Sequence, residues 1–242
     1  MCSWRSFFMK KFFISCLLSG LMLGCSSSQQ STSVSLENYS GGERMGDATS
    51  LYWYTEESNH PYAADDYIQS RHDGWYQTSY RWENSVLKEL IREGEQISGT
   101  AGKQELVPFR VHVRFDKNGD AVYQQYRVNH KVFPLTAEAL EHYKSQAEAI
   151  VDTVKKQDKQ DQTLIQGVWD GETFETCRGQ EYEKVEFNKT LPGFVIQRLS
   201  SLDNYMAFLG NIRNGRVYIQ ELLMLADDGH ECITRPNLLE KS

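Results

Sequence analysis

Apolar and polar residues alternate with a period of two along much of this chain, which is the pattern of β-strands that bury one face. Residues 75–82 alternate in this way, and residues 108–128 do so on both sides of an Asp-Lys-Asn-Gly-Asp turn at 116–120. The pattern predicts a strand at 75–82 and a β-hairpin at 108–128. The apolar spacing of residues 86–94 fits either a helix or the second strand of a hairpin, and it leaves both open.

One stretch follows the helical period instead. Thr136 is a typical N-cap residue, and apolar residues then recur every three or four positions up to about residue 156. This stripe consists of Leu140, Tyr143, Ala147, Ile150 and Val154. We therefore predict a helix with one apolar face, about 30 Å long.

Beyond residue 166 the pattern returns to short strands separated by glycine-containing turns. The predicted strands are 168–176, 181–187, 194–199, 205–212, 216–225 and 231–234. Their close spacing favours an antiparallel meander that curls into a small barrel. The predicted fold class is α+β, with an aromatic-rich antiparallel sheet and one long helix in residues 51–165, followed by a small antiparallel β-barrel or meander in residues 166–235.

The first 24 residues have the organisation of a secretory signal peptide, with basic residues before a short apolar run. The run ends in Leu-Met-Leu-Gly followed by Cys25, which resembles a bacterial lipobox, although Met22 stands where such motifs usually carry Leu. We expect Cys25 to be acylated and to become the mature N-terminus, so that a lipid anchors the protein to a membrane.

The residue after the cysteine indicates the destination. Ser26 rather than Asp follows Cys25, which favours the outer membrane, with the protein facing the periplasm. Residues 25–50 are rich in Ser, Gln, Thr and Gly, and this composition predicts a flexible tether.

Composition limits the function classes. Apolar residues make up 40% of the chain, as in ordinary globular proteins, and a mean hydropathy of −0.57 excludes a multi-span membrane protein. The net charge of −7 argues against nucleic acid as a partner, because phosphate binding needs clustered Lys and Arg.

Two cysteines remain in the folded part once Cys2 and Cys16 are assigned to the signal peptide and Cys25 to acylation. Cys177 and Cys232 form an even pair in an oxidising compartment, which predicts a disulfide. The alternative is two free buried thiols. A barrel whose first and last strands are neighbours would bring the two sulfurs within reach of each other.

Motifs that would identify an enzyme are missing from the sequence: there is no nucleophile elbow, phosphate-binding loop or dinucleotide fingerprint, and no His pair has zinc-site spacing. We accordingly assign no catalytic residue, metal or cofactor. The turn at 116–120 superficially resembles a calcium loop, but Ala121 and Arg127 stand where such a loop needs Gly and Glu. Arg110, His112 and Arg114 lie on one strand face, where they either bind an anionic group or are simply solvated.

Aromatic residues are concentrated between Leu51 and Trp82. Such a cluster either fills a core or offers exposed rings that stack on sugars or contact a partner. Trp53, Trp75 and Trp82 are the candidate binding surface under the second interpretation.

Residues 51–55 (Leu-Tyr-Trp-Tyr-Thr), residues 74–82 (Gly-Trp-Tyr-Gln-Thr-Ser-Tyr-Arg-Trp) and the segment 108–128 resemble the YjaH-like family of uncharacterised bacterial lipoproteins. The resemblance implies a lipoprotein and no activity, since the family is a domain of unknown function. We expect an outer-membrane-anchored periplasmic module that binds an envelope protein or peptidoglycan without catalysis. The alternative is a hydrolase of peptidoglycan or another envelope glycan, because a catalytic carboxylate pair carries no sequence signature of its own.

Overall fold

A computed structural model describes residues 35–100, 102–188 and 190–239. The described residues form one compact unit. Its described residues are mostly β, with an eight-stranded sheet, a six-stranded sheet and two helices, which is broadly the α+β class that the sequence predicts.

The eight-stranded sheet is an antiparallel meander whose strands lie side by side in chain order. Its strands are β1 (Leu36–Met45), β2 (Ala48–Glu57), β3 (His60–Ser70), β4 (Gly74–Glu83), β5 (Val86–Thr100), β6 (Lys103–Phe115), β7 (Ala121–Val128) and β8 (Lys131–Phe133). The strand predicted at 75–82 is β4, and the hairpin predicted at 108–128 is the β6–β7 pair; both predictions are confirmed. The ambiguous segment 86–94 belongs to β5.

Two-residue turns set the register of this meander. The pairs Ser58-Asn59, Asn84-Ser85 and Asn129-His130 all have positive φ at both residues. This backbone geometry matches the twist of flanking strands and favours Asn. Because the Asn84-Ser85 turn pairs Glu83 directly with Val86, the chain continues as a strand and not as a helix.

The predicted helix is confirmed as α1 (Ala137–Lys159), with the Thr136 hydroxyl accepting from the backbone N–H of Ala139 at 3.2 Å. Its apolar stripe packs against one face of the eight-stranded sheet. Ala147, Ile150 and Val154 are fully buried there, among the aromatic and aliphatic side chains of β2 to β6.

The six-stranded sheet is built from β9 (Thr163–Trp169), β10 (Phe174–Thr176), β11 (Glu181–Tyr182), β12 (Lys184–Phe187), β13 (Asn204–Arg213) and β14 (Arg216–Asp227). The order is β11-β10-β9-β13-β14-β12, and β12 pairs with β14 in parallel. Only Glu183 separates the two edge strands in sequence, so the sheet curls until its edges nearly meet. The barrel-like shape is confirmed, whereas a purely antiparallel meander is wrong.

Two predicted strands in this region are not strands. Residues 194–199 lie in α2 (Gly193–Ser201), which places Val195 and Leu199 one turn apart in the core of the six-stranded sheet. Residues 231–234 form no strand; the Gln166 side chain instead bonds both backbone groups of Ile233, at 3.0 Å each.

The predicted tether also needs correction. Residues 25–34 lie outside the described residues, but 36–45 form β1, and β2 begins at Ala48. Position 42 of this strand is a glycine because a Cβ there would lie 2.5 Å from the carbonyl oxygen of Ser50. The adjacent glycines Gly41 and Gly42 therefore reflect close packing. The side chain of Gln157 on α1 further clamps Gly42, accepting from its N–H at 3.1 Å and donating to its carbonyl at 2.7 Å.

The two predicted halves pack together through the second face of the eight-stranded sheet. Leu51 of β2 lies in one buried cluster with Tyr205, Leu209 and Leu223 of the six-stranded sheet. The halves 51–165 and 166–235 are therefore joined by a shared core.

A disulfide links Cys177 to Cys232, with a Cα–Cα distance of 6.0 Å. The predicted bond is present, but Cys232 belongs to the segment after β14 and not to a last barrel strand. This segment continues to the eight-stranded sheet, where Arg235 binds Asp65 at 2.6 Å and Leu238 is buried.

Candidate functional site

A cavity of about 620 Å³ lies between the eight-stranded sheet and α1. This volume is within the range of small-molecule binding sites, which is roughly 300–1,000 Å³. The helix contributes His142, Tyr143, Gln146, Ala149 and Ile150, which recur every three or four positions and so lie on one face. The sheet supplies the opposite wall from β1 to β7.

Two rows of paired residues across the sheet form that wall. In one row Asp66, Thr78 and Arg92 lie opposite each other on β3, β4 and β5. In the next row Gly94 lies between Tyr76 and Phe109.

Gly94 is required where it stands, because a Cβ there would lie 2.1 Å from the carbonyl oxygen of Trp75. Over this glycine the rings of Tyr76 and Phe109 meet edge to face, with centroids 6.5 Å apart. The two rings form an apolar floor next to the polar row.

The Arg92 guanidinium is held rigidly in the polar row. Its Nε donates to the Thr78 hydroxyl at 2.8 Å, and one terminal nitrogen donates to the Tyr80 hydroxyl at 3.0 Å and to the Gln146 side chain at 2.9 Å. The rings of Tyr76 and Tyr143 lie 4.1 and 4.9 Å from its central carbon. Cation–π contact with two rings favours the buried charge.

Asp66 is the acidic partner of this arginine. The two side chains are 3.8 Å apart and almost completely buried, and the Tyr80 hydroxyl donates to Asp66 Oδ2 at 3.4 Å. Asp66 Oδ1, in contrast, accepts no hydrogen bond from any described residue. Burial raises the pKa of Asp66 to about 6, and the charge of Arg92 limits the rise.

Further acidic groups line the cavity. Glu43 accepts a hydrogen bond from the Tyr52 hydroxyl at 2.7 Å, and Glu95 accepts one from the Trp75 indole at 3.0 Å. Both carboxylates are thereby fixed in direction by aromatic donors. The site combines aromatic walls with oriented carboxylates.

The structure does not bring the three candidate tryptophans together. Trp82 is 7% exposed and belongs to the core under α1, beside Tyr80. Trp53 packs in the contact between the two sheets. Trp75 is half-buried and stacks on Tyr67, with ring centroids 6.1 Å apart. The aromatic segment therefore serves mainly as core on both faces of the sheet.

Other sequence candidates have structural partners. Arg110 pairs with Glu93 at 2.6 Å, while His112 and Arg114 both contact Glu89, at 2.7 and 3.2 Å. Each basic side chain of this strand face therefore has an acidic partner.

Asp116 closes the hairpin turn by accepting from the backbone N–H groups of Asn118 and Asp120. The lipidation candidate Cys25 lies outside the described residues.

The central residues of the cavity, Asp66 and Arg92, were not found by sequence reasoning. The sequence signal for such residues is a charged side chain at a strand position that faces the core, with apolar residues two positions away on the same face. Arg92, two residues after the buried Leu90, is an example. This signal could not be used while 86–94 was open between helix and strand.

Neither helix in the described ranges is long and apolar enough to cross a membrane. Among the same residues no group of three or more His, Cys, Asp or Glu is placed to hold a metal ion. Comparison with curated proteins and with solved structures gave no match. A family described as protein of unknown function, DUF1481, matches residues 40–237, and the chain belongs to this uncharacterised family.

Proposed function

We propose that this protein is a non-catalytic binding module of the bacterial envelope, and that the cavity between the eight-stranded sheet and α1 receives a small ligand. The observation that carries the proposal is a preformed cavity of about 620 Å³ with aromatic walls and a buried Asp66–Arg92 pair. A cavity with aromatic walls and polar groups held in fixed directions is typical of ligand sites.

Structural packing alone accounts poorly for the polar row. A buried ion pair is a weak source of stability, because desolvation offsets most of the attraction between the charges. Leaving Asp66 Oδ1 without a donor costs a further ~1–3 kcal/mol. A ligand that contacts this row recovers part of that cost, which supports a binding role.

The proposed location is the outer membrane, with the protein held by lipid on Cys25 and facing the periplasm. Support comes from the signal sequence, from Ser26 and from the likeness to YjaH-like lipoproteins. The disulfide between Cys177 and Cys232 agrees with an oxidising compartment. The ligand is then a molecule of the envelope, or one that passes through it.

The test uses a chain that begins at residue 26 and retains the whole compact unit. N-phenyl-1-naphthylamine, a small apolar dye, should bind saturably, with one site per chain and increased fluorescence. Ala149→Trp should weaken binding at least tenfold, because Ala149 is an exposed residue on the cavity wall and the indole would fill the space.

Ser145→Trp is the matched control, since Ser145 is exposed on the same helix and is not part of the cavity. Dye affinity that is equal in Ala149→Trp and the parent would contradict binding in the cavity. Release of soluble fragments from purified peptidoglycan, abolished by Asp66→Asn, would instead favour the hydrolase alternative.

A further inference from the structure

The cavity has an excess of negative groups. Its lining has four carboxylates, those of Glu43, Asp66, Asp73 and Glu95, and two basic side chains, those of Arg92 and His142. Neighbouring carboxylates in a partly enclosed space create a negative potential that concentrates cations.

Arg92 already has partners for its charge. Asp66 lies 3.8 Å away, two aromatic rings cover the guanidinium, and three side chains of the protein accept its hydrogen bonds. An incoming anion would have to compete with these contacts. It would also approach Asp66, which lies in the same row of the sheet.

Asp66 is only partly satisfied, because just one of its oxygens, Oδ2, lies 3.8 Å from Arg92 and accepts from the Tyr80 hydroxyl. It is 1% exposed and lines the cavity, and its Oδ1 accepts no hydrogen bond from the described residues. A buried carboxylate oxygen in this state is best satisfied by a donor, and a charged donor forms the stronger bond. The rings of Phe109 and Tyr126 on the cavity wall favour a cation as well, since ring faces attract positive charge.

We propose that the ligand of this cavity carries a protonated amine on an apolar body, with the amine donating to Asp66 Oδ1 and the body lying against the aromatic walls and Ala149. This inference rests on the proposed function and specifies its ligand class. Glu43 and Glu95, fixed by Tyr52 and Trp75, strengthen the attraction at longer range.

Three ten-carbon compounds that differ only in the head group test the inference: decylammonium, decanol and decanoate, below their micelle concentrations. Calorimetric titration of the chain from residue 26 should give decylammonium an affinity at least tenfold above that of the other two. Asp66→Asn should reduce this preference to less than threefold. Asp152→Asn, which removes the same charge from the exposed side of α1, should leave it unchanged.

The outcomes separate the two proposals. Equal binding of all three compounds, blocked by Ala149→Trp, would overturn the amine inference and leave the cavity site intact. Preference for decanoate would overturn it too, and would make Arg92 the anchor. Failure of all three compounds and of the naphthylamine dye to bind would overturn the proposed function itself.

Decylammonium binding that Ala149→Trp does not weaken would show attraction to the acidic surface alone, and would contradict the inference. If Asp66→Asn does not fold, the three-compound series on the parent still decides the question, and Glu95→Gln provides a second variant with a smaller expected loss.

Discussion

Removing the disulfide tests how the C-terminal segment is held. In the double variant Cys177→Ser, Cys232→Ser, both substituted residues are exposed, so little packing is lost and the change reports the cross-link itself. The bond closes a loop with a sequence separation of 55 residues. Loop-closure entropy for this length gives about 4 kcal/mol of stabilisation, a figure that depends on the chain-entropy treatment.

Equilibrium urea unfolding, followed by tryptophan fluorescence, measures this difference. With a denaturant slope of about 2 kcal/mol/M, the midpoint should fall by roughly 2 M urea. Under reductant the parent should unfold at the same concentration as the variant, because both then lack the bond. A midpoint that differs by less than about 0.5 M without reductant would refute the entropic argument, and free thiols in the denatured, unreduced parent would refute the bond.

Three further predictions concern Asp66, the tryptophans and Cys25. The pKa of Asp66 is raised from 3.8 to about 6, so the native state binds the proton more tightly than the unfolded state does. Protonated Asp66 therefore stabilises the native state by about 3 kcal/mol below pH 4, and this contribution is lost as the pH rises through 6. In urea unfolding at pH 4 to 7, the free energy of unfolding of the parent minus that of Asp66→Asn should fall as the pH rises. A constant difference would contradict the raised pKa of Asp66. Trp82→Ala should cost about 3–5 kcal/mol because its ring is in the core, while Trp75→Ala should cost clearly less, and equal melting temperatures would contradict this placement. Cys25→Ala should accumulate as an uncleaved precursor on immunoblots, whereas a mature product in the outer-membrane fraction would argue against the lipid anchor.

Local signals were sufficient for several elements. The helix followed from Thr136 and a stripe of five apolar residues, and its position is correct within a turn at the C-terminal end. The hairpin at 108–128 followed from alternation around Asn118-Gly119. In both cases neighbours in sequence are also neighbours in space, so the pattern alone carries the information.

Elements whose structure depends on contacts with residues far away in sequence were misassigned. Residues 36–45 have polar, exposed residues at both ends and two buried glycines, Gly41 and Gly42, at the centre. The glycines are needed because β1 lies close to β2, α1 and the six-stranded sheet at this point. Residues 194–199 are too few to distinguish a buried helix from a strand by periodicity. Tertiary packing favours the helix, because a helix places both Val195 and Leu199 in the core of the six-stranded sheet.

The candidate site was hidden for the same reason. Asp66 and Arg92 are far apart in sequence, and they meet only because two turns bring β3, β4 and β5 into one register. The turn at Asn84-Ser85 lacks the Asn-Gly signature, although its backbone has the same positive φ values. Without that register, the sequence does not indicate that Arg92 faces the core.

The most direct test of the account is to locate the bound dye. In a ¹⁵N–¹H spectrum of the labelled chain from residue 26, N-phenyl-1-naphthylamine should produce saturable ring-current shifts at Ala149, Gln146 and the Nε–H of Arg92, all of which line the cavity. The same titration of Ala149→Trp should leave the Arg92 signal in place. Shifts confined to residues away from α1 and β5, or shifts that do not saturate, would contradict a ligand site between the sheet and the helix.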